Sequence, residues 1–224
     1  MFIGVYFVKF EDLPVVLRYL RKLIKSFPIP VVTAISRKQN PFMVLVSCLL
    51  SLRTRDKATY AASKRLFSLA RSPIKLLSLN SQQVETAIYP VAFYRNKTLS
   101  LFAICRSLVN ESNGMVPDSL EKLLRLKGVG RKTANLTLVL GHNKLGICVD
   151  IHVHRVMNRW GYVQTKSPDE TEKELRRKLP KRYWKEINIL LVSFGQNICK
   201  PQSPYCSKCG VTKYCEQIGV NRYR

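Results

Sequence analysis

Four cysteines lie close together near one end of the 224-residue chain: Cys199, Cys206, Cys209 and Cys215, with six, two and five residues between them. Four thiolates are a common ligand set for zinc and for iron–sulfur clusters. A zinc ribbon has two Cys-x-x-Cys pairs, whereas only Cys206 and Cys209 form one here. Unequal spacing in a single loop favours a [4Fe-4S] cluster. Two disulfides are the alternative, which a reducing compartment disfavours.

A second candidate site is a glycine-containing hairpin between two predicted helices. Gly128 and Gly130 allow a tight turn whose backbone amides face outward, and Arg131 adds a positive charge, so the hairpin is predicted to bind phosphate. Lys132 lies in the first turn of the second helix. There the positive end of the helix dipole and the neighbouring Arg131 favour a neutral, nucleophilic amine. A simple phosphate contact is the alternative role for Lys132.

Asp150 is the single acidic residue between positions 122 and 168, a stretch that contains nine Lys or Arg. It precedes a predicted helix and is expected to cap it, and the basic surroundings favour its ionised form. A carboxylate that acts with a nucleophilic amine suits attack at a sugar C1′, because the anion stabilises oxocarbenium charge. Plain helix capping is the alternative.

The elements that position these residues are predicted to be helices. Asn40 followed by Pro41 predicts the start of a helix that runs to Ser51 and is apolar on almost every face. Asp118 with Glu121 is predicted to form a capping box, and a second is expected near residue 167. A stripe formed by Trp184, Ile187, Leu191 and Phe194 predicts a buried helix face. The pattern therefore indicates an all-α protein.

The overall charge narrows the class of partner. Thirty-eight Lys and Arg against 14 Asp and Glu give a formal net charge of +24, which favours a polyanion such as nucleic acid. A strongly solvated surface, or a ribosome-bound protein, is the alternative. No apolar run reaches the length of a membrane helix. Residues 1–10 lack a basic leader, so we expect an intracellular protein.

Three motifs together carry a family resemblance. They are Leu-Lys-Gly-Val-Gly-Arg-Lys-Thr-Ala-Asn at 126–135, Val-Asp-Ile-His-Val-His-Arg at 149–155, and the cysteine loop. With residues 41–56 and 94–97, they make the chain resemble the endonuclease III family of helix-hairpin-helix DNA glycosylases. The resemblance implies two helical domains with a DNA-binding cleft between them: residues 36–145, containing the hairpin, and residues 1–35 with 146–224, containing the cluster loop.

The resemblance also implies an activity. Lys132 would attack C1′ of a damaged, flipped-out pyrimidine nucleotide, and β-elimination from the resulting Schiff base would nick the strand. Asp150 would assist base release. The expected partner is double-stranded DNA with damaged bases or abasic sites, bound by a monomer. A glycosylase for mismatched or deaminated bases, and a non-catalytic DNA-binding iron–sulfur protein, are the alternatives.

Three positions depart from the family pattern: Lys127 replaces the usual proline, Ala92 the usual glycine, and Arg53 a common glutamine. The resemblance implies that Arg53 fills the gap left by the flipped base, where a guanidinium would read the opposite base differently. Phe93 falls in the loop that would wedge into the duplex. Burial of Phe93 under its own loop is the alternative.

Overall fold

A computed structural model describes residues 11–36 and 40–224 of the chain, and no strand is present among them. The predicted all-α class is therefore confirmed. Short 3₁₀ turns join some of the helices, and a π-helical turn, Thr137–Gly141, extends α9. The helices are α1 (Leu13–Leu23), α2 (Val31–Ser36), α3 (Pro41–Ser51), α4 (Asp56–Leu69), α5 (Pro73–Leu77), α6 (Ser81–Ile88), α7 (Tyr94–Ser112), α8 (Leu120–Arg125), α9 (Arg131–Leu136), α10 (Ile151–Arg159), α11 (Pro168–Lys178) and α12 (Trp184–Asn197).

The chain divides into two compact units. One unit is Pro30–Gly146, which we name the hairpin unit, and the other combines the segment that ends at Ile29 with Ile147–Arg224, which we name the cysteine unit. The domain limits implied by the family resemblance include residues 1–10 and 37–39, which lie outside the described residues, as does the segment examined for a leader.

Helix α3 is the centre of the hairpin unit. Every residue from Phe42 to Leu50 is buried, as expected for a helix that is apolar on almost all faces. Helices α2, α4, α7 and α9 and the π-helical turn pack around it. At the end of that turn, a Cβ added to Gly141 would lie 2.9 Å from the Cα of Pro41, so only glycine permits this close approach. The start of α3 and the end of the hairpin helix are thereby held together.

The cysteine unit has its own core, built from distant parts of the sequence. Leu13, Leu17 and Leu20 of α1 are fully buried in the same cluster as residues of α10 and α12. The rings of Trp160 and Phe194 pack with their centroids 6.2 Å apart. Three of the four residues of the predicted α12 stripe, Ile187, Leu191 and Phe194, are buried, and Trp184 is partly buried. The stripe is therefore core packing.

Local side-chain caps mark the starts of several helices, including α3 and α8. Asn40 Oδ1 accepts hydrogen bonds from the amides of Phe42 and Met43, as predicted. The prediction that Asp118 caps α8 is wrong, because Ser119 is the N-cap and its hydroxyl accepts from Lys122 N. Asp118 instead forms an ion pair with Lys144, at 2.5 Å. The cap is thus supplied by the residue next to the predicted one.

Candidate functional site

The hairpin between α8 and α9 is held by its apolar residues and exposes its glycines. Leu126 and Val129 are buried in the core of the hairpin unit. Gly128 has φ +83°, a left-handed conformation that side chains with a Cβ rarely adopt, whereas Gly130 is the extended N-cap of α9. A Cβ at either glycine would meet no atom within 4 Å. No packing contact within the described residues therefore requires a glycine at position 130.

Lys132 lies in the first turn of α9 and is partly buried. The next four residues of the helix are buried and fix its orientation; they are Thr133, Ala134, Asn135 and Leu136. Burial raises the pKa of the Cys48 thiol on α3 to about 12, and the positive charge of Lys132 opposes this shift. Cys48 therefore stays a neutral thiol near the lysine, so it supplies no anion to the lysine.

Asp150 is a buried residue at the start of α10. Its Oδ1 accepts hydrogen bonds from the amides of His152, at 2.9 Å, and Val153, at 3.0 Å. The predicted capping geometry is therefore present. The amides of the first helical turn and the positive end of the helix dipole both stabilise the charged carboxylate. The two amides therefore fix the position of the Asp150 side chain.

Arg53 and Phe93 form an exposed pair in the hairpin unit. The guanidinium carbon lies 5.8 Å from the centroid of the Phe93 ring, within the range of a cation–π contact. The Phe93 side chain is 60% exposed, so the alternative of burial under its own loop is wrong. Both residues have positive φ, 54° for Arg53 and 58° for Phe93. Two non-glycine residues in this conformation at one place mark a constrained surface feature.

Two of the three departures from the family pattern lie in this region or at the hairpin and are accommodated without backbone strain. Ala92 is not among the residues with positive φ in the described chain, and its amide donates to Thr54 Oγ1 at 3.2 Å. An alanine at this position therefore needs no glycine conformation. Lys127 is exposed beside Gly128 and adds a positive charge to the hairpin.

The four cysteines of the loop line one pocket in the cysteine unit. Arg159 and Trp160 also form part of the wall of this pocket. Arg159 fixes the loop, because its guanidinium donates to the carbonyls of Lys200, at 2.6 Å, and Pro201, at 2.7 Å. The same guanidinium donates to the sulfur of Cys199 at 3.4 Å. All four are free thiols, so the disulfide alternative is not observed.

The environment of these sulfurs fits a bound cationic cofactor. Burial raises the pKa of Cys215 to about 12 and also raises the pKa values of Cys206 and Cys209, and repulsion between neighbouring thiolates adds to each shift. Metal binding would release these protons. No three His, Cys, Asp or Glu side chains in the described ranges are arranged to hold a single metal ion. Four soft sulfur donors around one pocket fit a polynuclear iron–sulfur cluster.

Comparison with known proteins then assigns the chain. Residues 46–181 match the family "HhH-GPD superfamily base excision DNA repair protein". The endonuclease III of Thermotoga maritima is 44% identical over 196 residues, a match that covers 88% of this chain and 90% of that protein. The chain belongs to the endonuclease III family. It is a base excision repair enzyme, a DNA glycosylase with lyase activity at abasic sites.

Other relatives agree with membership of the endonuclease III family. The endonuclease III of Bacillus subtilis is 34% identical over 179 residues, which cover 80% of this chain and 82% of that protein. A solved structure of a trapped endonuclease III–DNA covalent intermediate, an estranged-adenine complex, has a TM-score of 0.83 and 31% identity. The match covers 93% of this chain and 96% of that one. No helix in the described part of this chain is long and apolar enough to cross a membrane.

Two residues of this chain, Lys97 and Thr54, were not singled out by sequence reasoning. Lys97 Nζ donates to the carbonyls of Leu50, at 2.9 Å, and Leu52, at 2.6 Å, and to Thr54 Oγ1 at 3.3 Å. The segment 94–97 matched the family, but its spacing gave no indication of these partners, which lie more than 40 residues earlier in the chain. Lys97 and Thr54 connect the segments that carry Arg53 and Phe93.

Proposed function

We propose that this chain removes oxidised pyrimidines from double-stranded DNA and nicks the strand at the resulting abasic site, with Lys132 as the nucleophile. The observation that carries the proposal is the position of Lys132. It is a partly buried lysine in the first turn of the hairpin helix, in a member of the endonuclease III family. A lysine amine can form a Schiff base with a sugar carbon at the aldehyde oxidation level.

The chemistry follows from this amine. Its nitrogen lone pair attacks C1′, the bond from C1′ to the base breaks, and the base leaves with the bonding electrons and takes up a proton. Opening of the sugar ring gives an imine between Nζ and C1′. Loss of a proton from C2′ then expels the 3′ phosphate in a β-elimination, and hydrolysis of the imine regenerates the amine.

Asp150 is proposed to stabilise the positive charge that develops on the sugar as the base leaves. A carboxylate performs this role best when its position is fixed before the reaction, because no reorganisation is then required. The two amides that hold Oδ1 supply such fixation.

The duplex is proposed to be held by the hairpin and by the exposed pair. Gly128, Gly130 and Arg131 would bind backbone phosphate through amides and a guanidinium. Arg53 and Phe93 would enter the base stack, where an exposed aromatic ring can stack on bases. The net charge of +24 favours a polyanion over other partners. We propose that the protein acts as a monomer.

The four thiols of the cysteine loop are proposed to hold a [4Fe-4S] cluster. The loop contains only short 3₁₀ turns, and Arg159 holds its start through the carbonyls of Lys200 and Pro201. When bound, the cluster would supply four metal–sulfur bonds that fix the loop. Lys208 and Lys213 on the same loop would then be presented to phosphates.

Arg53 supports a second candidate substrate, a mismatched or deaminated base. A guanidinium presents a fork of donors, whereas the glutamine common in the family presents one amide, so the two would favour different opposite bases. A panel of duplexes distinguishes the candidates. Faster nicking of thymine glycol than of uracil or mismatched thymine supports the oxidised-pyrimidine proposal, and the reverse order supports the alternative.

The test of the proposed chemistry is borohydride trapping on a thymine-glycol duplex. Borohydride reduces the imine to a stable amine, so the wild-type protein should become covalently attached to the DNA. Lys132→Ala should give no adduct, whereas Lys75→Met, a change of an exposed lysine on α5, should trap like the wild type. Absence of a wild-type adduct on both damaged and abasic duplexes would refute the enzyme proposal.

A further inference from the structure

Lys97 joins the end of α3 to the start of α7. Two of the acceptors of its ammonium are the carbonyls of Leu50 and Leu52. Carbonyls in the last turn of a helix lack helical hydrogen-bond partners and lie at the negative end of the helix dipole. A cation there donates hydrogen bonds to these carbonyls and interacts favourably with the dipole. Burial lowers the pKa of Lys97 to about 8. The ammonium is therefore the main form at neutral pH.

Thr54 extends this connection to a second segment. Its Oγ1 accepts a hydrogen bond from Lys97 Nζ and another from the amide of Ala92. The backbone amide of Lys97 in turn donates to the carbonyl of Phe93, at 2.9 Å. Residues 52–54 and 90–93 are thus tied to one ammonium and one hydroxyl. We name these two segments the Arg53 loop and the Phe93 loop.

The residues presented by the two loops are exposed and conformationally costly. Arg53 and Phe93 have positive φ and face each other in the cation–π contact, with no helix to hold either side chain. A left-handed conformation of a non-glycine residue persists only when the surrounding structure imposes it. The bonds from Lys97 and Thr54 flank both residues and contribute to this constraint. Removing them would let both loops relax.

We infer that Lys97 is a positioning residue that, together with Thr54, fixes Arg53 and Phe93 as one unit for entry into the DNA duplex. This inference rests on the proposed function of the Arg53–Phe93 pair. Lys97 touches neither the substrate nor the reacting atoms in this account. Its removal should therefore weaken binding of duplex substrates, for which a base stack must be entered. It should leave the Schiff-base chemistry of Lys132 intact.

The experiment compares duplex and single-stranded substrates in four variants. Lys97→Met removes the charge with little change of volume, and Lys97→Arg retains a cation with donors. Thr54→Val removes the hydroxyl that connects the two loops. It tests the same connection if Lys97→Met does not fold. Lys75→Met is the matched control. The readouts are KM and kcat for nicking of a thymine-glycol duplex and of a single-stranded abasic oligonucleotide.

We expect Lys97→Met and Thr54→Val to raise the duplex KM about tenfold with kcat nearly unchanged, the pattern of lost uniform binding. Activity on the single strand should stay within about twofold of the wild type, because no opposite strand is contacted. Lys97→Arg should recover most of the duplex KM. An unchanged duplex KM in Thr54→Val, or equal kcat losses on both substrates, would overturn the inference.

The outcome is separable from that of the proposed function. If the wild-type protein forms no borohydride adduct, the proposed function fails whatever the variants show. If the wild type forms the adduct, and both Lys97→Met and Thr54→Val keep the wild-type duplex KM, only the inference about Lys97 is refuted. Adduct formation by Lys97→Met on the single-stranded abasic substrate verifies that Lys132 chemistry survives in the variant.

Discussion

Replacement of the two hairpin glycines by alanine should affect different properties: Gly128→Ala should lower the stability of the protein, and Gly130→Ala should weaken DNA binding. Gly128 has φ +83°, so Gly128→Ala forces a Cβ into the left-handed region at a cost of about 1–2 kcal/mol. Alanine also lowers the conformational entropy of the unfolded chain, which offsets about 0.4–1 kcal/mol of the cost of the left-handed conformation. No atom lies within 4 Å of the added Cβ, so no steric term is added. The net destabilisation should be roughly 1 kcal/mol, or about 2–4 °C in melting temperature.

Gly130→Ala should leave stability almost unchanged and weaken DNA binding. The backbone is extended, at φ −89° and ψ 176°, which alanine adopts freely. The poorer N-cap costs about 0.5–1 kcal/mol, and the restricted unfolded chain returns a similar amount. The new Cβ projects into open space at the start of α9, where we propose that a phosphate approaches. Loss of one charge-assisted hydrogen bond corresponds to about a tenfold weaker Kd.

The assay is thermal denaturation combined with DNA binding at several salt concentrations. Gly130→Ala should weaken binding with the salt dependence unchanged, because no cation is lost. Arg131→Ala should lower the slope of log K against log salt by about one. If Gly130→Ala binds duplex DNA like the wild type, or if Gly128→Ala is as stable as the wild type, the reasoning about this hairpin is refuted.

Three further predictions concern the other site residues. Cys215→Ser should lower the bound iron from about four atoms per chain and bleach the brown colour, as seen by iron analysis and absorption; a colourless wild type that contains zinc would contradict the cluster assignment. Phe93→Ala should raise the duplex KM about tenfold through lost stacking, whereas Leu99→Ala, which removes a similarly exposed side chain, should not; equal effects would refute the contact. Asp150→Asn retains a good N-cap and should keep its melting temperature while kcat falls about 100-fold; an unchanged kcat would restrict Asp150 to capping.

Local chemistry made several elements predictable from the sequence. Helix starts at Pro41 and Pro168 follow from a capping side chain and a proline in the first turn, and both helices begin there. The cap at Asp150 follows in the same way. Capping depends on neighbours within three residues, so a single sequence contains the needed information. The prediction for Asp118 is wrong because the adjacent Ser119 is the N-cap, while Asp118 pairs with Lys144, 26 residues away.

Features that depend on distant contacts could not be derived from residue patterns. Helix α1 belongs to the same unit as α12, with an ion pair between Arg21 and Glu186 across 165 residues. The local periodicity of the sequence does not predict a contact between residues so far apart in the chain. The role of Lys97 is a similar case, since its three acceptors come from residues 43–47 positions earlier. Only the family resemblance implied the two domains, and nothing in the sequence indicated the Lys97 contacts.

The central claim is that the Lys132 amine forms the Schiff base, and mass spectrometry of the trapped complex tests it most directly. Reduction with borohydride converts Lys132 to a secondary amine that trypsin does not cleave. We expect a modified tryptic peptide spanning residues 132–144, which begins after Arg131 and carries the sugar-phosphate remnant at its first residue. A remnant on any other lysine, or a trapped complex that persists in Lys132→Ala, would contradict it.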